Sequence, residues 1–200
     1  MKNGWENFVS PFDKVAGARA LAVGVGGLVV SVVVSIFSGL HAHGLLHFGS
    51  APVDAWWVHV VEYLAIWLVP AAIIWGLGVA LSRSRIRPVD VFGTVAFSLL
   101  PLVVMNLVWL FPAMQQLLEL SASPTDLIAE LQSLVFDPSF LVSLTVASLI
   151  TCMAIILMLV WLFRAVKVAC NLGGWRLWTV YLVGVVGGDI VCRILIGLIY

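Results

Sequence analysis

The sequence predicts an all-α, polytopic membrane bundle of five transmembrane helices in one integral membrane domain, residues 1–200. Three observations carry that prediction. First, 62% of the residues are hydrophobic and only 10% are charged, with a mean hydropathy of +1.14. A soluble domain has about a quarter of its residues charged, so a chain this apolar needs lipid as its solvent. Second, five apolar stretches are long enough to cross a bilayer, at about 17–37, 56–81, 89–111, 139–163 and 175–200. Third, the basic residues alternate between connections. Lys2, Lys14 and Arg19 lie before or at the entry of the first stretch, Arg83, Arg85 and Arg87 follow the second, and Arg164, Lys167 and Arg176 flank the turn between the fourth and the fifth. The connections 38–55 and 112–137 contain no lysine or arginine. By the positive-inside rule the N-terminus is cytoplasmic and the C-terminus lies outside.

The elements follow in order. Residues 1–16 place Trp5, Phe8, Phe12 and Val15 at near-helical spacing, with Pro11 as an interruption. They read as a short segment lying on the membrane surface. The first apolar run is too long for a signal-peptide core and has no small-residue cleavage site after it, so it is expected to be retained. Within it Ala20, Gly24, Gly27, Ser31 and Ser35 share one helical face. Small residues so placed let another helix approach closely.

The second span opens on Trp56 and Trp57, which suit an aromatic belt, and tolerates Pro70 through a kink. Pro88 is placed for the first turn of the third span, which carries Pro101 near its middle. Thr94, Ser98 and Asn106 lie on one face of that span and could line a polar seam. In the next connection, Ser123-Pro124-Thr125-Asp126 is a helix start, followed by Leu127, Ile128, Leu131, Leu134 and Val135 at helical spacing. An amphipathic surface helix over about 124–135 is expected there, too short to cross the bilayer. Asn171-Leu172-Gly173-Gly174 marks the last turn. Gly184 and Gly188 of the fifth span form a small-xxx-small pair, which serves either internal packing or a homo-oligomer.

Two stretches resemble a known family. Pro88–Pro101, reading PVDVFGTVAFSLLP, resembles the entry to the third span of the YIP (Ypt-interacting protein) family of integral membrane proteins. Trp161–Trp178, reading WLFRAVKVACNLGGWRLW, is similar to the connection before the fifth span in its bacterial members. The five-span plan and the aromatic-basic N-terminus agree with it. Eukaryotic members act with Rab-type GTPases through a long cytosolic N-terminal region, where this sequence has only about sixteen residues before its first apolar run. The resemblance therefore implies a non-enzymatic protein of the prokaryotic plasma (inner) membrane. It implies contacts with other membrane proteins or lipids and carries over no catalytic residues.

Chemistry-bearing residues concentrate on the predicted outer side. Asp189 and Arg193 are four apart in the last span, and Glu62 is about one turn into the second. Charges at membrane depth are costly, so these three are expected to share a polar cluster. Such a cluster serves either as a salt bridge locking the helices or as an ion or proton pathway of a small transporter or channel subunit. All four histidines, His41, His43, His47 and His59, fall on the same side, and His59 and Glu62 are three apart. Imidazole and carboxylate suit a transition metal such as zinc, which makes these five residues a candidate metal site. The spacing matches no closed zinc motif, and no cofactor is otherwise implied. Cys152, Cys170 and Cys192 lack CxxC spacing and read as small core hydrophobes. No nucleophile-base triad, phosphate loop, HExxH or GxSxG motif occurs, so no enzyme activity is expected. With zero net charge, a nucleic-acid partner is not expected either.

Overall fold

The computed structural model of this chain describes residues 10–13, 15–53, 55–122 and 137–200. Five helical segments are long and apolar enough to cross a membrane. The first, α1, runs over Gly17–Ser38 and the second, α2, over Trp56–Leu81. The third span is two helices, α3 over Pro88–Ser98 and α4 over Pro101–Val108. A further helix, α5, covers Pro112–Ala122 and is not a span. The fourth span is α6, Pro138–Ala169. The fifth is α7 over Gly174–Leu182, a π-helical segment over Val183–Gly187, and α8 over Gly188–Gly197. A small hairpin, β1 over His41–Ala42 and β2 over Phe48–Gly49, joins α1 to α2.

Several boundaries differ from the sequence reading for physical reasons. The third span breaks at Leu99-Leu100, because Pro101 has no N–H to continue the ladder and instead starts α4 at its first position. By contrast, α2 passes through Pro70 as one helix. The fourth span runs on to Ala169, so Arg164 and Lys167 stand on α6 rather than in the connection after it. The expected surface helix over 124–135, with Trp5, Phe8, Lys2 and Lys14, lies outside the described residues. Phe12, from the expected surface segment, is buried instead. It meets Phe97 edge-to-face at 5.5 Å, in a cluster with Ala20 and Ala165.

In lipid there is no hydrophobic drive between apolar helices, so contact area and close approach must hold the bundle. The small-residue face of α1 does this within the molecule. Ala20, Gly24, Leu28, Ser31, Ser35 and Ser38 are its buried positions, and a methyl on Gly24 would run into the Ala96–Phe97 backbone of α3. In the fifth span, a Cβ on Gly184 would lie 2.5 Å from Ile74, and one on Gly188 would lie 2.9 Å from Pro70. Both glycines of the small-xxx-small pair are thus used up against α2. Bilayer-facing positions such as Val29, Leu64, Met153 and Ile194 are exposed and apolar.

Polar groups inside the bundle are tied to backbone or to each other. Thr94 donates to the Asp90 carbonyl and Ser98 to the Thr94 carbonyl, each at 2.7 Å, within their own helix. Asn106 instead links three spans, pairing with the Tyr63 hydroxyl (2.9 Å) and donating to the Ser31 carbonyl (3.4 Å). The predicted seam is therefore a set of closed knots. Cys170 and Cys192 are buried and Cys152 is exposed on the bilayer face, all as free thiols.

The spans alternate in direction. At one end Asn171 donates to Ser84 (2.9 Å) and Arg176 donates to the Leu81 carbonyl (3.3 Å). Gly17 lies beside Asp90 at that same end. This basic end gathers the connections that carry the arginines. The opposite end gathers the β1–β2 hairpin, the end of the fifth span and the start of α5, where Gln115 donates to the Ser38 carbonyl (2.8 Å).

Candidate functional site

The histidine end begins with the way α1 stops. Gly39 takes a left-handed conformation (φ 65°), which a residue without Cβ adopts freely, and turns the chain out of the helix. The chain does not leave the bundle. Leu40, Ala42 and Leu45 are fully buried, so a loop with almost no regular structure sits inside apolar surroundings. Its backbone N–H groups need partners there, because an unpaired buried donor costs about 1–3 kcal/mol. The hairpin supplies some, pairing His41 with Gly49 and Ala42 with Phe48, and the Gly44 N–H donates to the His47 carbonyl (3.1 Å).

The Leu40 N–H donates to the Ser38 hydroxyl (3.3 Å), and two carboxylates take two more. Glu62 of α2 accepts from the Ala42 N–H at 3.0 Å, and Asp189 of α8 accepts from the Leu46 N–H at 2.8 Å. Each acid therefore ties one side of the loop to a different span. The π segment ends at Gly187, two residues before Asp189, and its extra residue per turn changes the face that α8 presents. Gly44 fits against the acid so closely that a Cβ would lie 2.5 Å from Asp189 Oδ1.

The three charges grouped by sequence thus fall into two neighbouring stations. Asp189 pairs with Arg193 at 2.8 Å, and that arginine remains 51% exposed. Glu62 is fully buried and pairs with neither of them. Its carboxylate meets His41 Nδ1 at 2.8 Å, the Ala42 N–H, and the hydroxyl of Tyr200. His59 Nδ1 stands 4.0 Å from the second oxygen. The His41 and His59 rings are stacked, with centroids 4.1 Å apart.

Of the five candidate metal residues, the structure brings His41, His59 and Glu62 together. One donor atom from each lies within 4.8 Å of the others, and all three residues are buried. His43 and His47 stand apart from them, in the hairpin loop. Their rings are 5.8 Å from each other, and His43 Nε2 donates to the Ser50 carbonyl at 3.0 Å. Burial pulls the His43 imidazole below its usual value of 6.5, against the pull of Ser50 and Glu62 in the other direction.

Tyr200, Gly44 and the two loop amides belong to this site and were not singled out by sequence reasoning. For Tyr200 a signal existed. Positions 189, 193, 196 and 200 follow one helical stripe, which runs from the charged pair to an aromatic hydroxyl. The loop amides carry no sequence signal, because any residue but proline supplies an N–H.

At the basic end, Arg83, Arg85 and Arg87 are exposed in the connection over residues 82–87, while Ile86 between them is buried. Lys167 is exposed and Arg164 half-buried on α6. A cavity of about 430 Å³ opens here, lined by Arg83, Ser84, Asn171, Trp175 and Arg176 among others. The Arg176 guanidinium lies over the Trp175 ring at 5.7 Å.

No protein-family model matches this chain, and no curated protein or solved structure matches it.

Proposed function

We propose that this integral membrane protein is non-enzymatic and of YIP type, working through contacts with other membrane proteins and with lipids. The observation that carries the reading is the closure of Glu62. A carboxylate that passes ions must exchange its partners for water, whereas Glu62 is 0% exposed and held by a histidine, a backbone amide and a tyrosine. Asp189 is engaged in the same way by the loop and by Arg193. These acids act as fasteners of a cap, which favours a structural role over a small transporter or channel subunit.

The exposed arginines at the basic end and the cavity beside Arg83 and Arg176 are what a partner or an anionic headgroup would meet. With the resemblance to bacterial members, they favour placement in a prokaryotic plasma membrane with that end facing the cytoplasm.

Site-specific photo-crosslinking from position 85 in native membranes tests the reading. Capture of a discrete membrane protein or of lipid at that position is the expected result. Proton or cation flux in proteoliposomes that disappears in a folded Glu62→Gln variant would overturn it.

A further inference from the structure

We propose that His41, His59 and Glu62 form a binding site for a zinc-type divalent transition metal, buried beneath the hairpin loop at the histidine end. The inference is separate from the reading above. Metal content and crosslinking are independent measurements, and either can fail alone.

The donor set is the first argument. Two imidazoles and one carboxylate are the ligands of zinc sites that keep an open position, and they suit zinc, nickel and copper better than calcium or magnesium. All three side chains are buried, at 2%, 0% and 0% exposure, so water does not compete for them.

Distances are the second. Around a four-coordinate ion with bonds of about 2.0–2.2 Å, neighbouring ligand atoms lie roughly 3.3–3.6 Å apart. Here Glu62 Oε1 is 2.8 Å from His41 Nδ1 and its Oε2 is 4.0 Å from His59 Nδ1, and one donor atom from each residue lies within 4.8 Å of the others. One gap is slightly short and the other slightly long. Small side-chain rotations, opening the first and closing the second, would bring both into range. A simple hydrogen-bonded pair would need only His41. A second imidazole is stacked 4.1 Å away, with its Nδ1 on the side of the same carboxylate.

Charge is the third. Glu62 is a buried acid whose partners include no lysine or arginine. A buried carboxylate without a full countercharge costs several kcal/mol, and a dication supplies that charge. Supporting contacts of the kind metal ligands use are already in place. The Ala42 N–H and the Tyr200 hydroxyl both donate to the Glu62 oxygens and fix their orientation.

The remaining two histidines mark the way in. His47 is exposed at the loop surface, and its ring is 5.8 Å from His43. His43 is 5.4 Å from Tyr200, and Tyr200 is 6.3 Å from His41. Donor groups therefore run in short steps from the surface to the buried three. His41, His59 and Glu62 hold the ion, and His43 and His47 hand it over.

The test uses the full chain purified in detergent without a histidine tag, stripped with chelator and titrated with zinc chloride alone. The expected result is about one zinc per chain, with affinity falling roughly tenfold or more in Glu62→Gln and in His59→Asn. Cys152→Ala, changed on the exposed face of α6, should keep the affinity. Cobalt(II) loading of the unmutated protein avoids any folding defect of the variants. It should give visible bands of a low-coordinate nitrogen-oxygen site without a thiolate band. Stripped protein that takes up less than roughly half an ion of either metal per chain would overturn the proposal. So would folded Glu62→Gln and His59→Asn variants that keep their affinity, or a Cys152→Ala loss as large as theirs.

Discussion

The backbone N–H of Leu46 donates to Asp189 across 143 positions of sequence, at 2.8 Å. One hydrogen bond thus pins the loop that follows the first span to the start of the last helix. Asp189→Ala leaves that part-buried amide without its charged acceptor and should cost about 1–3 kcal/mol. Arg193→Ala removes only the half-exposed partner and should cost under about 1 kcal/mol. Thermal unfolding of the two variants in detergent should rank them in that order. Equal losses would mean that the ion pair, rather than the loop amide, is what Asp189 serves.

Glycines on opposite faces of the helices should respond in opposite ways. Gly188→Ala brings a methyl to 2.9 Å from Pro70 Cβ and 3.2 Å from its Cα, atoms that cannot rotate away. A loss of about 1–3 kcal/mol is expected. At Gly26 and Gly76 a Cβ would meet nothing within 4 Å, so alanine there should be neutral or mildly stabilising. Detergent-resistance half-lives of the three variants are the measurement.

Tyr63 and Asn106 should be coupled. Each of Tyr63→Phe and Asn106→Leu removes one side of a buried pair that joins α2 to α4. A double-mutant cycle should return an interaction of about 0.6–1.7 kcal/mol, the range for hydrogen bonds between helices in membranes. A cycle closing at zero would place the stabilisation in shape alone.

Acid should loosen the hairpin loop. Burial sets the His43 imidazole below its ordinary 6.5, so the folded loop disfavours the proton relative to an opened one. The stabilising contribution is full above about 6.5 and is lost as pH falls through the lower, folded value. Labelling of a Leu46→Cys variant should therefore accelerate on acidification, and a His43→Gln background should flatten the profile.

Orientation can be read directly. Maleimide labelling of Ser84→Cys should require access from the cytoplasm, and labelling of a cysteine at exposed His47 should occur from outside. The reverse pattern would invert the positive-inside assignment.

The bundle was legible because its signals are intrinsic to the chain. Trp56 and Leu81 bound a long run that is apolar but for His59 and Glu62, and the basic residues sort the connections. The break in the third span was half-visible. Pro101 announced a disturbance, but whether a helix bends or restarts depends on what surrounds it, as the uninterrupted passage through Pro70 shows. Pro112–Ala122 was missed as a helix although Pro112 and the run Ala113-Met114-Gln115-Gln116-Leu117-Leu118-Glu119 favour one. Its length is below that of a span, and the stronger capping signal at Ser123 drew the assignment downstream. At the site, the residue types were readable and the pairing was not. Glu62, Asp189 and Arg193 fall in the outward half of the predicted bundle, and that alone does not say which acid faces which partner. The loop decides that, through the amides of Ala42 and Leu46.

Synthesis order gives the Tyr200–Glu62 contact a further meaning. Glu62 leaves the ribosome 138 residues before the tyrosine that completes its surroundings. At about 5–20 residues per second, that interval is roughly 7–28 s. Throughout it, a carboxylate and two histidines stand beneath a half-closed cap while three more spans are threaded into the bilayer. The newborn protein therefore passes through a stage in which this end is open, and the fifth span is the stopper that shuts it.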